Sequence, residues 1–358
     1  MSPAPAAARI HICVGAGGVG KTTTAAALAL SLAARGERVA VVTIDPAKRL
    51  AGALGLRELG GEPHLIDPRR FATQGIELRG ELWAMMLDPK RTFDELIGRL
   101  APDERSRDDV LANRVYRELS SAVAGSQEFT AIAKLYELDR EGGFDAIVLD
   151  TPPSRNALDF LAAPLRLTQF FEGRALRALL APGRIMGRGT GIVFSILKRL
   201  TGVDLLTDLS AFFLALSGMI DGFNERAAGV DALLRRKDTA FVLITSPEHE
   251  PMREALEFAL ALRSSGLQIS RAIVNRVHSS GEASTRELAG VLEPRLVASI
   301  ASYLEDHAVL AERDRLAIER LRREAPGVAL TLVPEMAGDV HDLAGLARVA
   351  RHLELQEP

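Results

Sequence analysis

Cysteine is almost missing from this sequence: Cys13 is the one cysteine in 358 residues. A single thiol builds no intrachain disulfide, no Cys-ligated iron–sulfur cluster and no CxxC zinc site. It fits a reducing compartment, and the cytoplasm is the expectation. Aromatic residues amount to only 5%, which argues against base-stacking surfaces. Charge of one sign is lacking as well. Lys and Arg number 44 against 47 Asp and Glu, for a net charge of -3, so nucleic acid is not an expected partner. No apolar run reaches the ~18 residues of a membrane span. Residues 1–8 carry neither a basic n-region nor an apolar h-region and read as a frayed tail.

What remains is globular in composition, with 47% apolar and 25% charged residues. At roughly 100–200 residues per domain, the length admits two domains or one large one. Strands are expected at 9–14, 38–44, 82–87, 146–149, 240–244, 271–274 and 330–333. Helical patterns cover 22–35, 91–140, 251–263, 283–324 and 343–353. Alternating strands and helices imply an α/β fold, a mostly parallel sheet flanked by helices. Residues 156–236 read as an inserted helical subdomain. The expected organisation is a tail at 1–8, a first core part at 9–155, the subdomain at 156–236, and the rest of the core at 237–358 with a helical insertion at 283–324.

Residues 15–22 fit the phosphate-loop pattern GxxxxGK(S/T) in full, after a strand and opening a helix. Glycines let successive backbone N–H groups turn toward phosphates. The helix N-terminus adds partial positive charge. Lys21 is expected at the β/γ-phosphates of ATP, and the Thr22 hydroxyl at Mg²⁺. Two acidic residues end strands. Asp150 precedes Thr151-Pro152-Pro153 and either holds the Mg²⁺ shell or caps a helix. Asp45 lies in Thr43-Ile44-Asp45-Pro46-Ala47-Lys48. It orients the attacking water, contacts Mg²⁺ through water, or caps.

These motifs together resemble one family. GAGGVGKTT at 15–23, TIDPAKRL at 43–50, DTPPSRNALDFL at 150–161, SPE at 246–248, IVNRV at 273–277 and VPEMAGDVHDLAGL at 333–346 are similar to the arsenite-pump and tail-anchored-protein-targeting ATPases. That ArsA/Get family belongs to the deviant Walker A class of P-loop NTPases. The resemblance implies that Gly17, Gly18, Val19, Gly20, Lys21, Thr22 and Thr23 hold the phosphates. It makes Asp45 the switch I aspartate that positions the hydrolytic water, and Asp150 the switch II aspartate near Mg²⁺. It places Asn275 and Glu248 on the nucleotide, and Pro334 and Met336 in the loop beside adenine. It also implies a dimer.

Departures from the family pattern matter as much. The class carries a lysine at the second loop position that reaches a dimer partner's phosphates; here that position is Ala16. Three consequences stay open: slow hydrolysis, another cation in its place, or pairing with a paralogue that carries the lysine. Cys13 alone cannot capture arsenite or build an interfacial zinc clasp. In the subdomain, residues 173–200 hold six Lys or Arg and no Asp or Glu, beside apolar stretches such as Phe170-Phe171 and Phe212-Phe213. Packing among amphipathic helices explains this; a hydrophobic client or a membrane surface explains it too. The expected function is a Mg²⁺-dependent ATPase whose cycle moves the helical subdomain. The alternative is a slow or inactive nucleotide-binding subunit of a hetero-oligomer.

Overall fold

A computed structural model of the chain describes residues 8–45, 49–114, 116–117, 127–152, 212, 214–267, 269–279, 292–336, 338, 340 and 342–354. The strands are β1 (Ile10–Val14), β2 (Arg38–Thr43), β3 (His64–Leu65), β4 (Glu81–Met86), β5 (Ala146–Asp150), β6 (Thr239–Thr245), β7 (Ile269–Val277) and β8 (Ala329–Pro334). The described helices are α1 (Lys21–Ala34), α2 (Arg49–Ala53), α3 (Arg69–Ala72), α4 (Pro89–Leu100), α5 (Glu104–Ala112), α6 (Gln127–Glu141), α7 (Ile220–Leu234), α8 (His249–Ser264), α9 (Pro294–Glu324) and α10 (Leu343–Glu354).

The strands form one sheet in the order β3-β4-β2-β5-β1-β6-β7-β8. Every described pairing is parallel except β3 with β4. β1 and β5 lie at the centre, and Ile10, Ile12, Cys13, Ile147 and Val148 are fully buried. Their continuous apolar runs follow from coverage on both faces. α1 is rich in Ala and Leu because it is buried on most sides, with α10 packed against it. It stops where Gly36 takes φ 109 and donates its N–H to the Ala33 carbonyl. The register aligns Cys13 with Asp150, and Asp150 with Thr43. The ends of β1, β5 and β2 therefore bring the phosphate loop, Asp150 and Asp45 to one edge of the sheet, where open α/β sheets bind ligands.

The chain divides into two compact units. One holds the sheet and comprises Met1–Met86, Gly143–Leu158 and Lys237–Pro358; the other comprises Leu87–Gly142 and Asp159–Arg236. The helices α4, α5 and α6 thus fall with the residues of the helical subdomain, whereas the sequence grouped them with the sheet. The reason is packing between segments far apart in the chain. Phe93 stacks at 6.1 Å on Tyr116 and at 6.3 Å on Phe223. Gly229 leaves room for Tyr136, whose hydroxyl lies 2.5 Å from where a Cβ would stand. Buried Glu137 pairs with Arg226 of α7, with Arg99 of α4 at 3.3 Å and with Lys134 at 3.4 Å. Asp88 and Asp103 cap α4 and α5, accepting from Arg91 N at 2.9 Å and Ser106 N at 2.7 Å. Apart from Phe212 and residues from Leu214 onward, the apolar stretches expected in 156–236 lie outside the described residues, as do 153–161 of the Asp150 motif.

Candidate functional site

The phosphate loop leaves β1 pressed against its neighbour. A Cβ on Gly15 would stand 1.9 Å from the Ile244 carbonyl oxygen of β6, and its φ is 153. Gly18 and Gly20 also take positive φ, 83 and 85, which glycine adopts without steric cost. A Cβ on Gly20 would meet Asn275 Nδ2 at 2.4 Å. That amide donates to the Val19 carbonyl at 2.9 Å, so β7 pins the loop from the side. Lys21 is 7% exposed and donates to the carbonyls of Gly15 at 2.8 Å and Ala16 at 3.3 Å. Burial lowers its pKa, while the nearby carboxylates of Asp150 and Asp45 work against that shift.

Asp150 is 1% exposed. Its Oδ2 accepts from the Thr43 hydroxyl at 2.8 Å, and its Oδ1 has no hydrogen-bond partner among the described residues. Burial pushes its pKa up to about 6, against the downward pull of the Thr22 and Thr43 hydroxyls and Lys21. Cys13, across the register, is fully buried, and burial followed by the Asp150 charge pushes its thiol up. The Asp45 side chain is 18% exposed, and Arg49 Nη1 stands 3.6 Å from its Oδ2.

A cavity of about 1150 Å³ runs along this edge. Gly17, Gly18, Gly20, Lys21, Thr22, Thr23 and Asp45 line it, as do Glu248, Asn275, Pro334 and Met336. Of the expected site residues, Val19 and Asp150 do not line it; both are buried, at 1% exposure each. Glu248 is exposed at the start of α8, and its side chain makes no capping hydrogen bond there.

The cavity wall also holds Arg49, Arg276, His278 and Arg313, none of them singled out from the sequence, and Glu335 of the loop expected beside adenine. The β7–β8 register slips between Val274 and Val277, and Arg276 takes φ 60. Such an irregularity re-aims side chains, and Asn275, Arg276 and His278 all reach the cavity. His278 joins three elements. Its Nδ1 lies 2.7 Å from Oδ2 of Asp314 on α9, and its Nε2 lies 2.9 Å from Glu335 Oε2, just beyond β8. Asp314 is fully buried and accepts besides from the His278 N–H at 2.9 Å and from Arg313 Nη2 at 2.8 Å. Nothing in the sequence around His278 marks it as part of a site. Its carboxylate partners lie 36 and 57 positions away, so no local spacing reveals them.

A mostly parallel sheet with a GxxxxGKT loop between β1 and α1 defines the P-loop NTPase class. Within that class, the family model described as Anion-transporting ATPase matches residues 8–311, and the chain belongs to that family of ATPases. It is 26% identical over 306 residues to a protein of Aquifex aeolicus named "Putative arsenical pump-driving ATPase 1", covering 81% of this chain and 71% of the relative. It is 30% identical over 191 residues to ATPase GET3 of Rhodotorula glutinis. That match covers 51% of this chain and 50% of the relative, so the chain spans about half the length of that protein. An uncharacterized protein of Streptomyces coelicolor is 29% identical over 246 residues, covering 68% of this chain and 56% of the relative.

Proposed function

We propose that the chain is a Mg²⁺-dependent ATPase that binds ATP along this cavity, phosphates on the loop and adenine toward β7 and β8. The observation that carries the reading is the convergence of Lys21, Thr22, Asp45 and Asp150 at the ends of three adjacent strands. Lys21 neutralises phosphate charge, and the loop N–H groups cradle the oxygens. Asp45, on the cavity wall, accepts a hydrogen bond from the attacking water and aims it at the γ-phosphate. Asn275 holds the loop through Val19, and its Oδ1 and second N–H suit the adenine edge. Glu248, Pro334 and Met336 line the nucleotide's path.

The donors suit Mg²⁺, a hard cation that takes oxygen ligands. The buried, unpartnered Oδ1 of Asp150 and the Thr22 hydroxyl would hold it, with Asp45 contributing from the wall. Bound there, the ion supplies neutralising charge to the phosphates. Asp45→Asn is expected to keep ATP binding and to lower hydrolysis by about 10²–10⁴-fold. Hydrolysis at the wild-type rate in that variant removes Asp45 from catalysis.

We infer a cytoplasmic protein whose cycle moves the helical unit and handles a hydrophobic or membrane-protein client, as a homodimer or with a paralogue. The cationic, apolar composition of 170–213 supports this. None of the described helices is long and apolar enough to cross a membrane. An arsenite function is disfavoured by Cys13, fully buried with its thiol pushed up, since As(III) is captured by accessible thiolates. A second reading, a slow nucleotide-holding subunit, draws on Ala16, which brings no charge to the loop. Single-turnover hydrolysis with and without candidate paralogues separates the two.

A further inference from the structure

Phosphoanhydride hydrolysis gathers negative charge around the γ-phosphate and the leaving diphosphate, and an arginine placed there is worth roughly 10³–10⁵ in rate. The phosphate loop of this chain supplies one ammonium, Lys21, and its second position is the buried methyl of Ala16. Strand order sorts the other cations of the cavity wall. β5 and β2 lie on one side of β1, and β6, β7 and β8 on the other. Arg276, His278 and Arg313 belong to the β7 side, where Asn275 stands. Arg49 follows β2, four positions after Asp45, on the side of Asp45 and Asp150. Among the described residues it is the one cavity-lining cation on that side besides Lys21.

Its present hold is loose. The 3.6 Å between Nη1 and Asp45 Oδ2 exceeds a close charge-assisted hydrogen bond, and the side chain is 67% exposed. A planar guanidinium at the mouth of an anion site matches phosphate oxygens in pairs.

We propose that Arg49 is a catalytic residue acting within its own chain: its guanidinium swings from Asp45 to the γ-phosphate oxygens and stabilises the transition state. This rests on the ATPase reading above. In the step, the water oxygen bonds to the γ-phosphorus while the bond to the β,γ-bridging oxygen breaks. That bond's electron pair leaves on ADP, and the water's protons pass to the product phosphate and to solvent.

The test uses the full chain with Mg·ATP and compares wild type with Arg49→Ala, Arg49→Lys and Lys48→Ala. Lys48 lies outside the described residues and is the neighbouring rival. Arg49→Ala is expected to lower kcat by about 10³-fold while ATP affinity stays within about 3-fold. It is expected to bind ADP but fail to trap ADP with aluminium fluoride, and added guanidinium ion is expected to restore part of its rate. Arg49→Lys is expected to fall between. A kcat within about 3-fold of wild type in Arg49→Ala overturns the proposal. So does a matching loss of ATP affinity, failure of guanidinium rescue with trapping intact, or transfer of the whole effect to Lys48→Ala. If wild type hydrolyses ATP and Arg49→Ala is unaffected, the Arg49 proposal alone falls; if wild type shows no hydrolysis, the ATPase reading falls with it.

Discussion

At the end of the cavity beside β1, β5 and β2, Lys21 on the wall is 7% exposed and Asp150 behind it 1%, with Asp45 at 18% and, of the four, only Arg49 open to water. At the end formed by β7 and β8, the side chains of Arg313 and Glu335 are about half exposed and anchored through His278 and the buried Asp314. Burial makes a charge costly, and a ligand that relieves the cost gains strongly from it. Exposed ion pairs in water contribute little individually. On the proposed ATPase reading, chemistry is expected to concentrate at the first end, and the second to select and orient the nucleotide and to tolerate change.

The comparison is sharpened most by Lys21→Ala, which removes the buried ammonium. Loss of hydrolysis by about 10³-fold or more, together with weakened ATP binding, is expected in steady-state and equilibrium-binding measurements. Next in size is Gly15→Ala. Its Cβ would sit 1.9 Å from a backbone carbonyl that cannot move out of the way. A loss of about 3–5 kcal/mol in urea unfolding is expected, whereas Gly18→Ala, with nothing within 4 Å of its Cβ, loses only the φ strain.

A third measurement separates two titratable groups by pH. His11, lowered to about 4 by burial, stays neutral in the fold. Its contribution is present above pH 6.5 and is lost as pH falls toward 4, because the unfolded chain takes up the proton first. Asp150, raised to about 6, acts oppositely. Its contribution is present below pH 3.8 and is lost as pH rises through 6. Each is worth about 2–4 kcal/mol and the two largely cancel. In nucleotide-free wild type the contributions of these two groups are expected to cancel between about pH 4 and 6. His11→Gln is expected to lose stability as pH rises through that window, and Asp150→Asn to gain it. Parallel profiles for the two variants would break the assignment.

The smallest effect is expected at the other end. His278→Ala frees Glu335 and takes a partner from Asp314, so KM for ATP is expected to rise about 5–10-fold with kcat within about 2-fold. A kcat loss as large as that of Lys21→Ala would show that the two ends do not divide the work.

The two ends also differ in how far the sequence exposed them. The phosphate loop is contiguous, and its strand, glycines, lysine and helix occur within 26 positions, Arg9 to Ala34. Seven of the eight strands were legible from apolar runs, each end within three residues. β3 was not, because two exposed residues carry no periodicity. α2 and α3 were missed for the same reason of length, five and four residues. Arg49 stood in plain view inside TIDPAKRL, yet only the structure shows that the first residue of α2 lies on the cavity wall. His278, Asp314 and Glu335 have no shared local pattern at all. The grouping of α4, α5 and α6 with α7 rests likewise on Phe93–Phe223 and Glu137–Arg226, pairs separated by 130 and 89 positions.

The sequence by itself determined the fold class, the phosphate loop and the two acidic strand ends, because each is written in neighbouring residues under local steric rules. Tertiary structure alone decided that Asp150 is buried with an unpartnered oxygen, that Asn275 pins Val19, and that His278 bridges α9 to the end of β8. Those properties arise when strands distant in the chain are laid side by side and water is excluded between them. The near-absence of cysteine gained meaning the same way: Cys13 is scarce in the sequence, and inert because β1 runs through the centre of the sheet.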